Sequence, residues 1–161
     1  VDIDGIRFHG ATLWTDFELF GDPRIAGYEC QQVMTDFKKI RKEPSYSKLR
    51  SIYVAMIHKN SINWLANSLK QSDCATNVVV THHAPSLNSV PERYKDEIVT
   101  AAYASDLSEF IEEHKPNSWL HGHLHASSNY RMGQCNVVCN PKGYKGEVGL
   151  SFDPMFTVEV T

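Results

Sequence analysis

Long apolar runs are missing from this sequence. No stretch approaches the roughly 18 residues of a membrane-spanning helix, and no charged-then-apolar segment opens the chain as a secretory signal would. The expectation is a cytoplasmic protein with no membrane partner. Cysteine is scarce. Cys30, Cys74, Cys135 and Cys139 are too few and too scattered for a disulfide framework, and the four-residue step from Cys135 to Cys139 is not a zinc-knuckle spacing. Reduced, buried thiols are expected instead. Neither sign of charge dominates: 16 Lys and Arg against 19 Asp and Glu leave a net charge of −3, so no nucleic-acid surface is evident. Repeats and low-complexity segments are also absent. What is present is an ordinary globular balance, 42% hydrophobic and 22% charged. The 161 residues suit a single domain, 1–161, and a chain of this size buries about 68–70% of its unfolded surface.

Along the chain, Ile6 to Trp14 reads as a strand, in which His9 is a side chain with a hydrogen-bond partner. Thr15 to Gln32, with Gly21, Pro23 and Gly27 and no clear period, reads as an irregular loop. Val33 to Arg41 predicts a short helix closed by Pro44. Ser47 to Lys70 predicts one long helix, or two with a break near Asn60-Ser61, burying Ile62, Leu65, Ala66 and Leu69. His58 there reads as a helix-surface or capping residue. The β-branched run Asn77 to Thr81 has the composition of a strand buried on both faces. A loop over Ser86 to Asp96 precedes a helix, with Asp106 as N-cap, Glu109 completing a capping box and Pro116 as its end. Ser118-Trp119-Leu120 is the next strand. Tyr130–Met132 and Cys135–Cys139 form a hairpin around Gly133-Gln134, and Met155 to Val160 alternates as a final strand.

The chemistry lies in the histidines. His82 and His83 follow one buried strand; His121, His123 and His125 follow another at every second position. On an extended backbone alternate side chains share a face, so these imidazoles could converge, with Gly122 letting the chain bend. The 84–120 stretch is the size of a loop, helix and loop. It therefore predicts a crossover that sets the two strands side by side with their ends on one edge of the sheet, where α/β proteins place their sites. Neutral imidazole is the commonest side-chain ligand of transition metals. The expectation is a metal site built from both strand ends.

Thr81-His82-His83-Ala84-Pro85, Trp119-Leu120-His121-Gly122-His123-Leu124-His125 and Asn140-Pro141-Lys142-Gly143-Tyr144 resemble the closing motifs of calcineurin-like metallophosphoesterases. Gly10-Ala11-Thr12-Leu13-Trp14-Thr15-Asp16 resembles the segment that follows that family's central motifs. The resemblance implies an α/β fold, a metallophosphoesterase-like β-sandwich flanked by helices and here lacking its N-terminal strands. It implies a dinuclear centre of divalent ions (manganese, iron, zinc or similar) that hydrolyses a small phosphoester substrate. It implies His82, His123 and His125 as metal ligands, with His82 and His123 on one ion and His125 on the other. His83 and His121 match no ligand position and are read as outer-shell or substrate-side groups.

The family's earlier motifs, Asp-x-His, Gly-Asp-x-x-Asp and Gly-Asn-His-Glu or -Asp, are absent from the sequence: Asp2 and Asp4 precede no suitably spaced histidine, and Gly21-Asp22-Pro23-Arg24-Ile25 lacks the second aspartate. The chain also opens on Val1. The expectation is the C-terminal half of a longer enzyme, partnered natively by its missing N-terminal half. Two cations about 3.5–4 Å apart need bridging anionic oxygen, which three imidazoles do not supply. Alone, the segment is expected to hold one zinc in a three-histidine arrangement with an open position, and to hydrolyse weakly or not at all. The rival reading is a non-catalytic metallophosphoesterase-like scaffold or interaction module. Cupins are all-β and conflict with the helical stretches, and metallo-β-lactamase-like enzymes need an Asp-His after His-x-His, where Ala126-Ser127 stands.

Overall fold

The structure is a computed structural model that describes residues 1–148 and 150–160. It is a mixed α/β arrangement. Strand β1 (Asp2–Ile3) turns through Asp4 and Gly5, both left-handed at φ 49° and 81°, into β2 (Ile6–Ala11), the backbone that a tight two-residue hairpin requires. Helix α1 (Pro23–Val33) then occupies much of the stretch read as loop. Its apolar signal is weak because its buried face consists of Ala26, Gly27 and Cys30. Its start is nonetheless written locally: Asp22 caps the amide of Arg24 at 2.9 Å and Pro23 opens the first turn. Helix α2 (Thr35–Lys39) lies inside the predicted span. An exposed two-residue ladder follows, β3 (Arg41–Lys42) with β4 (Ser47–Lys48).

Helix α3 (Ser51–Lys70) runs unbroken for 20 residues. Ser61 Oγ donates to the Ile57 carbonyl at 2.9 Å, so the hydroxyl is spent on the helix rather than on breaking it. Leu65 and Leu69 are buried as expected, and so is His58, which is a core residue and not a surface one. Strand β5 (Thr76–Thr81) leads into short 3-10 turns at Leu87–Ser89, Glu92–Tyr94 and Ile98–Ala102, and then into α4 (Ser108–His114). Asp106 Oδ1 takes the Ser108 amide at 3.0 Å, one residue short of the expected capping box. Strands β6 (Ser118–His121), β7 (Ser128–Met132) and β8 (Cys135–Cys139) complete the sheet, with Gly133 left-handed in the β7–β8 turn.

The sheet order is β1-β2-β5-β6-β8-β7. The inner strands β2, β5, β6 and β8 are parallel, and the two edge strands are antiparallel to their neighbours. The β5–β6 crossover is thus as expected, and all four inner strands deliver their exits to one edge. On one face Val79, Trp119 and Val137 stand side by side in register and pack under Leu65 and Leu69 of α3 and under Leu107 and Ile111. Burying a large apolar side chain of this kind contributes about 1.5–3 kcal/mol. The Met155–Val160 strand is not formed. Met155 is exposed, and the segment is tied by Asp153, whose amide and carbonyl pair with the Asn140 side chain at 3.1 and 2.8 Å. Cys30, Cys135 and Cys139 are buried free thiols and Cys74 is half-buried. No helix among the described residues is long and apolar enough to cross a membrane.

Candidate functional site

The exits of β5 and β6 are stitched together by the backbone, the Gly122 amide donating to the His82 carbonyl at 3.1 Å. Strand β6 stops at His121, so the every-second-residue argument holds no further along the chain. The left-handed residue is His123, φ 63°, and not Gly122. A Cβ at Gly122 would meet only ordinary contacts, 3.7 Å from His82 Nδ1. The bend therefore falls on the histidine and swings His123 across to β5.

There His123 Nδ1 lies 3.0 Å from His82 Nε2. The His83 ring packs 4.5 Å from that of His123, and Tyr103 covers the same imidazole at 4.9 Å. The three-way convergence of the 121–125 run is not realised, because each ring has a different partner. His121 turns away from the cleft, with Nε2 2.8 Å from Ser89 Oγ. His125 Nδ1 is held by Glu147, 2.8 Å from Oε2, while Tyr144 packs edge-on against its ring at 4.8 Å. Glu147 Oε2 also accepts the Tyr144 amide at 2.9 Å. These bonds from the amide and from His125 hold its carboxyl below the usual range. Among the described residues no group of three His, Cys, Asp or Glu side chains is gathered as a metal site.

Burial keeps the central rings neutral. It lowers His82, pushes His83 down to about 4 against the raising effect of its bond to Thr12, and pushes His123 down to about 3, with the neighbouring histidines adding to the shift. Neutral imidazole is the form that offers a lone pair to a cation. His83 Nδ1 sits 3.1 Å from the Thr12 carbonyl, which only accepts, so Nδ1 carries the proton and Nε2 the lone pair. That Nε2, and the Nε2 of His123, are buried with no hydrogen-bond partner among the described residues.

A cleft of about 900 Å³ opens over this pair, walled by Tyr94, Tyr103 and Tyr144 and reached by Asp36, Glu97 and Lys142. It also takes in His82, His123 and His125, while His83 and His121 lie behind it. The loop after β2 closes the back. Leu13, Trp14 and Phe17 are all left-handed, φ 73°, 59° and 65°, a conformation that costs bulky residues about 1 kcal/mol or more each and persists only when surroundings enforce it. Here His58 Nδ1 donates to the Trp14 carbonyl at 3.2 Å and Ser105 Oγ donates to Asp16 at 2.9 Å. The loop thereby presents Trp14 to His83 at 5.0 Å. Trp14, Tyr103 and Glu147 were not singled out from sequence as site residues. The first lies in the Gly10–Asp16 motif, which did point to the region; the other two sit in stretches without a pattern.

The molecule is thus a mixed α/β protein with a histidine cluster at the carboxyl edge of its parallel strands. No protein-family model matches the chain. It is 25% identical over 169 residues to uncharacterized protein L509 of Acanthamoeba polyphaga mimivirus, an alignment that covers 99% of this chain and 57% of that protein. The chain therefore spans a little over half the length of this relative.

Proposed function

We propose that the chain carries the histidine ligands of a metal-dependent phosphoesterase acting on a small phosphoester. The observation that supports this most is the 3.0 Å approach of His82 and His123 from two adjacent parallel strands. Their neutral state and the unpartnered Nε2 of His123 fit a donor set for a divalent cation. His82 and His123 would hold one ion, and His125, once released from Glu147, would serve a second. A bound divalent ion supplies Lewis-acid activation of water and neutralisation of phosphoryl charge. The chain's own groups do the rest. Tyr103 shields His123 from solvent, Lys142 offers a positive charge in the cleft, and the Trp14 loop fixes His83 behind the ligand pair. On this reading the six-stranded sheet is one layer of a metallophosphoesterase sandwich, and preceding chain supplies the second layer and the bridging carboxylate.

The test is hydrolysis of p-nitrophenyl phosphate and its bis-ester by the full-length protein with manganese or zinc. His123→Ala should lower turnover at least about 100-fold, the scale on which ligand-sphere losses act. Unchanged hydrolysis by that variant overturns the assignment. A second reading, a non-catalytic scaffold of the same fold, is favoured by one observation: His125 is engaged by Glu147 instead of turning toward His82 and His123. A folded full-length protein with no turnover under any divalent metal would select it.

A further inference from the structure

Behind the cleft, outside its lining, runs a buried hydrogen-bond chain with one possible direction. His121 Nδ1 lies 3.0 Å from the Gly122 carbonyl, so Nδ1 holds the proton of the neutral ring. His121 Nε2 must then accept, and the hydroxyl 2.8 Å from it, Ser89 Oγ, donates. Ser89 has no second proton, so the Tyr130 hydroxyl, 2.7 Å away, donates to Ser89. Ser89 and His121 are 3% and 8% exposed, so water does not compete for these bonds. The three residues come from the turn that continues the His82-bearing loop, from the last residue of β6 and from β7. The chain ends on the carbonyl of the residue immediately before the left-handed His123.

We propose that Tyr130, Ser89 and His121 are positioning residues: their relay orients the Gly122 peptide, fixes the left-handed turn at His123, and so sets the His82–His123 contact. As a device for cation binding, this rests on the reading of His82 and His123 given above. None of the three lines the cleft. Their effect is transmitted through one peptide plane, the natural lever over a residue whose φ is unfavourable for a side chain. A second buried clamp, Trp119 Nε1 donating to Thr81 Oγ1 at 2.9 Å, holds the same two strands earlier in their course. At the turn itself two backbone bonds act beside the relay, the Gly122 amide donating to the His82 carbonyl at 3.1 Å and the Leu124 amide to the Gly122 carbonyl at 2.7 Å. The relay adds a ring N–H to that same carbonyl.

The experiment uses the full-length protein and two readouts. Imidazole ¹⁵N correlation spectra of the metal-free protein report the His82–His123 hydrogen bond, and titration with Zn²⁺ alone reports affinity. In Ser89→Ala and His121→Leu, the two bonded ring nitrogens should lose their distinct shifts and average. Zn²⁺ affinity should fall on the order of 10–100-fold, as for other partners that orient ligands. Tyr130→Phe, which keeps the Ser89–His121 link, should do less. His121→Asn, which keeps a donor near the Gly122 carbonyl, should restore much of the pattern. Should His121→Leu not fold, Ser89→Ala and His121→Asn carry the comparison. Spectra unchanged in Ser89→Ala, even with a lowered melting point, overturn the proposal. A wild type that ignores Zn²⁺ while its spectra respond as stated refutes the metal reading and leaves the positioning role standing.

Discussion

Thr81→Val is the perturbation whose cost can be worked from the structure. Thr81 is buried, and its Oγ1 does two things: it accepts the indole N–H of fully buried Trp119 at 2.9 Å and donates to the His83 carbonyl at 2.8 Å. Valine keeps the shape and removes both bonds. The stranded indole N–H costs about 1–3 kcal/mol, and the lost bond to His83 about 0.5–1.5 kcal/mol. The sum, about 1.5–4.5 kcal/mol, lowers the melting temperature by roughly 3–18 °C at the 2–4 °C per kcal/mol usual for this chain length. Urea unfolding at fixed pH measures it. Adding Trp119→Phe removes the stranded donor, so the double variant should cost clearly less than the sum of the singles, a coupling of 0.5 kcal/mol or more being on the order expected for contacting groups. Additive effects, or a Thr81→Val cost under about 0.5 kcal/mol, would refute the clamp.

Burial also sets a pH dependence. His83 and His123 are held at about 4 and about 3, below the ordinary 6.5, so the unfolded chain binds protons that the native one refuses. Their contribution to stability is complete above pH 6.5 and is lost as pH falls toward 4 and 3. In EDTA, urea midpoints should drop between pH 7.5 and 5, above the carboxylate range, and His83→Gln should flatten that slope; a flat wild-type profile contradicts the burial. Gly27→Ala should destabilise by about 1–3 kcal/mol in thermal melts, because the added Cβ would stand 2.8 Å from Ser51 Cβ; a stabilised variant, as helix propensity alone favours, would show that α1 and α3 are not so closely packed. Glu147→Gln should raise Zn²⁺ affinity in calorimetry if His125 is a ligand held in reserve, since the carboxylate that engages it loses its charge; unchanged affinity assigns His125 to the loop alone.

The parallel order of β5 and β6 was legible because two apolar runs, separated by a helix-sized stretch, leave few connections to choose from, although Val80 of β5 is exposed and the strand is not buried on both faces throughout. The edge of the sheet that carries the histidines followed from the same argument. Helix α1 was not legible as a helix, since its buried face is Ala26, Gly27 and Cys30 and gives no apolar stripe; the Asp22-Pro23 start signal was the overlooked sign. The alternation of Phe156, Val158 and Val160 suggested a strand, but a strand exists only with a partner, and Asn140 holds this segment by Asp153 instead. Within the site, the resemblance drew attention to His82 and His123 together, and the structure brings their ring nitrogens to 3.0 Å. The fates of His121 and His125 were not legible, because they depend on Ser89, Tyr130 and Glu147, which are 32, 9 and 22 residues away and carry no pattern of their own. The alternation of side chains ends with strand β6 at His121, one residue before Gly122.

On the proposed reading His82 and His123 share one cation. Co²⁺ titration followed by visible absorption, with calorimetry of Zn²⁺ on the same protein, tests it directly. Saturable binding is expected in the wild type, lost in His82→Ala and in His123→Ala, and retained in His9→Ala, whose ring is committed to Ser68 and Asn77. Binding that survives both His82→Ala and His123→Ala, or a wild type that binds neither ion, would contradict it.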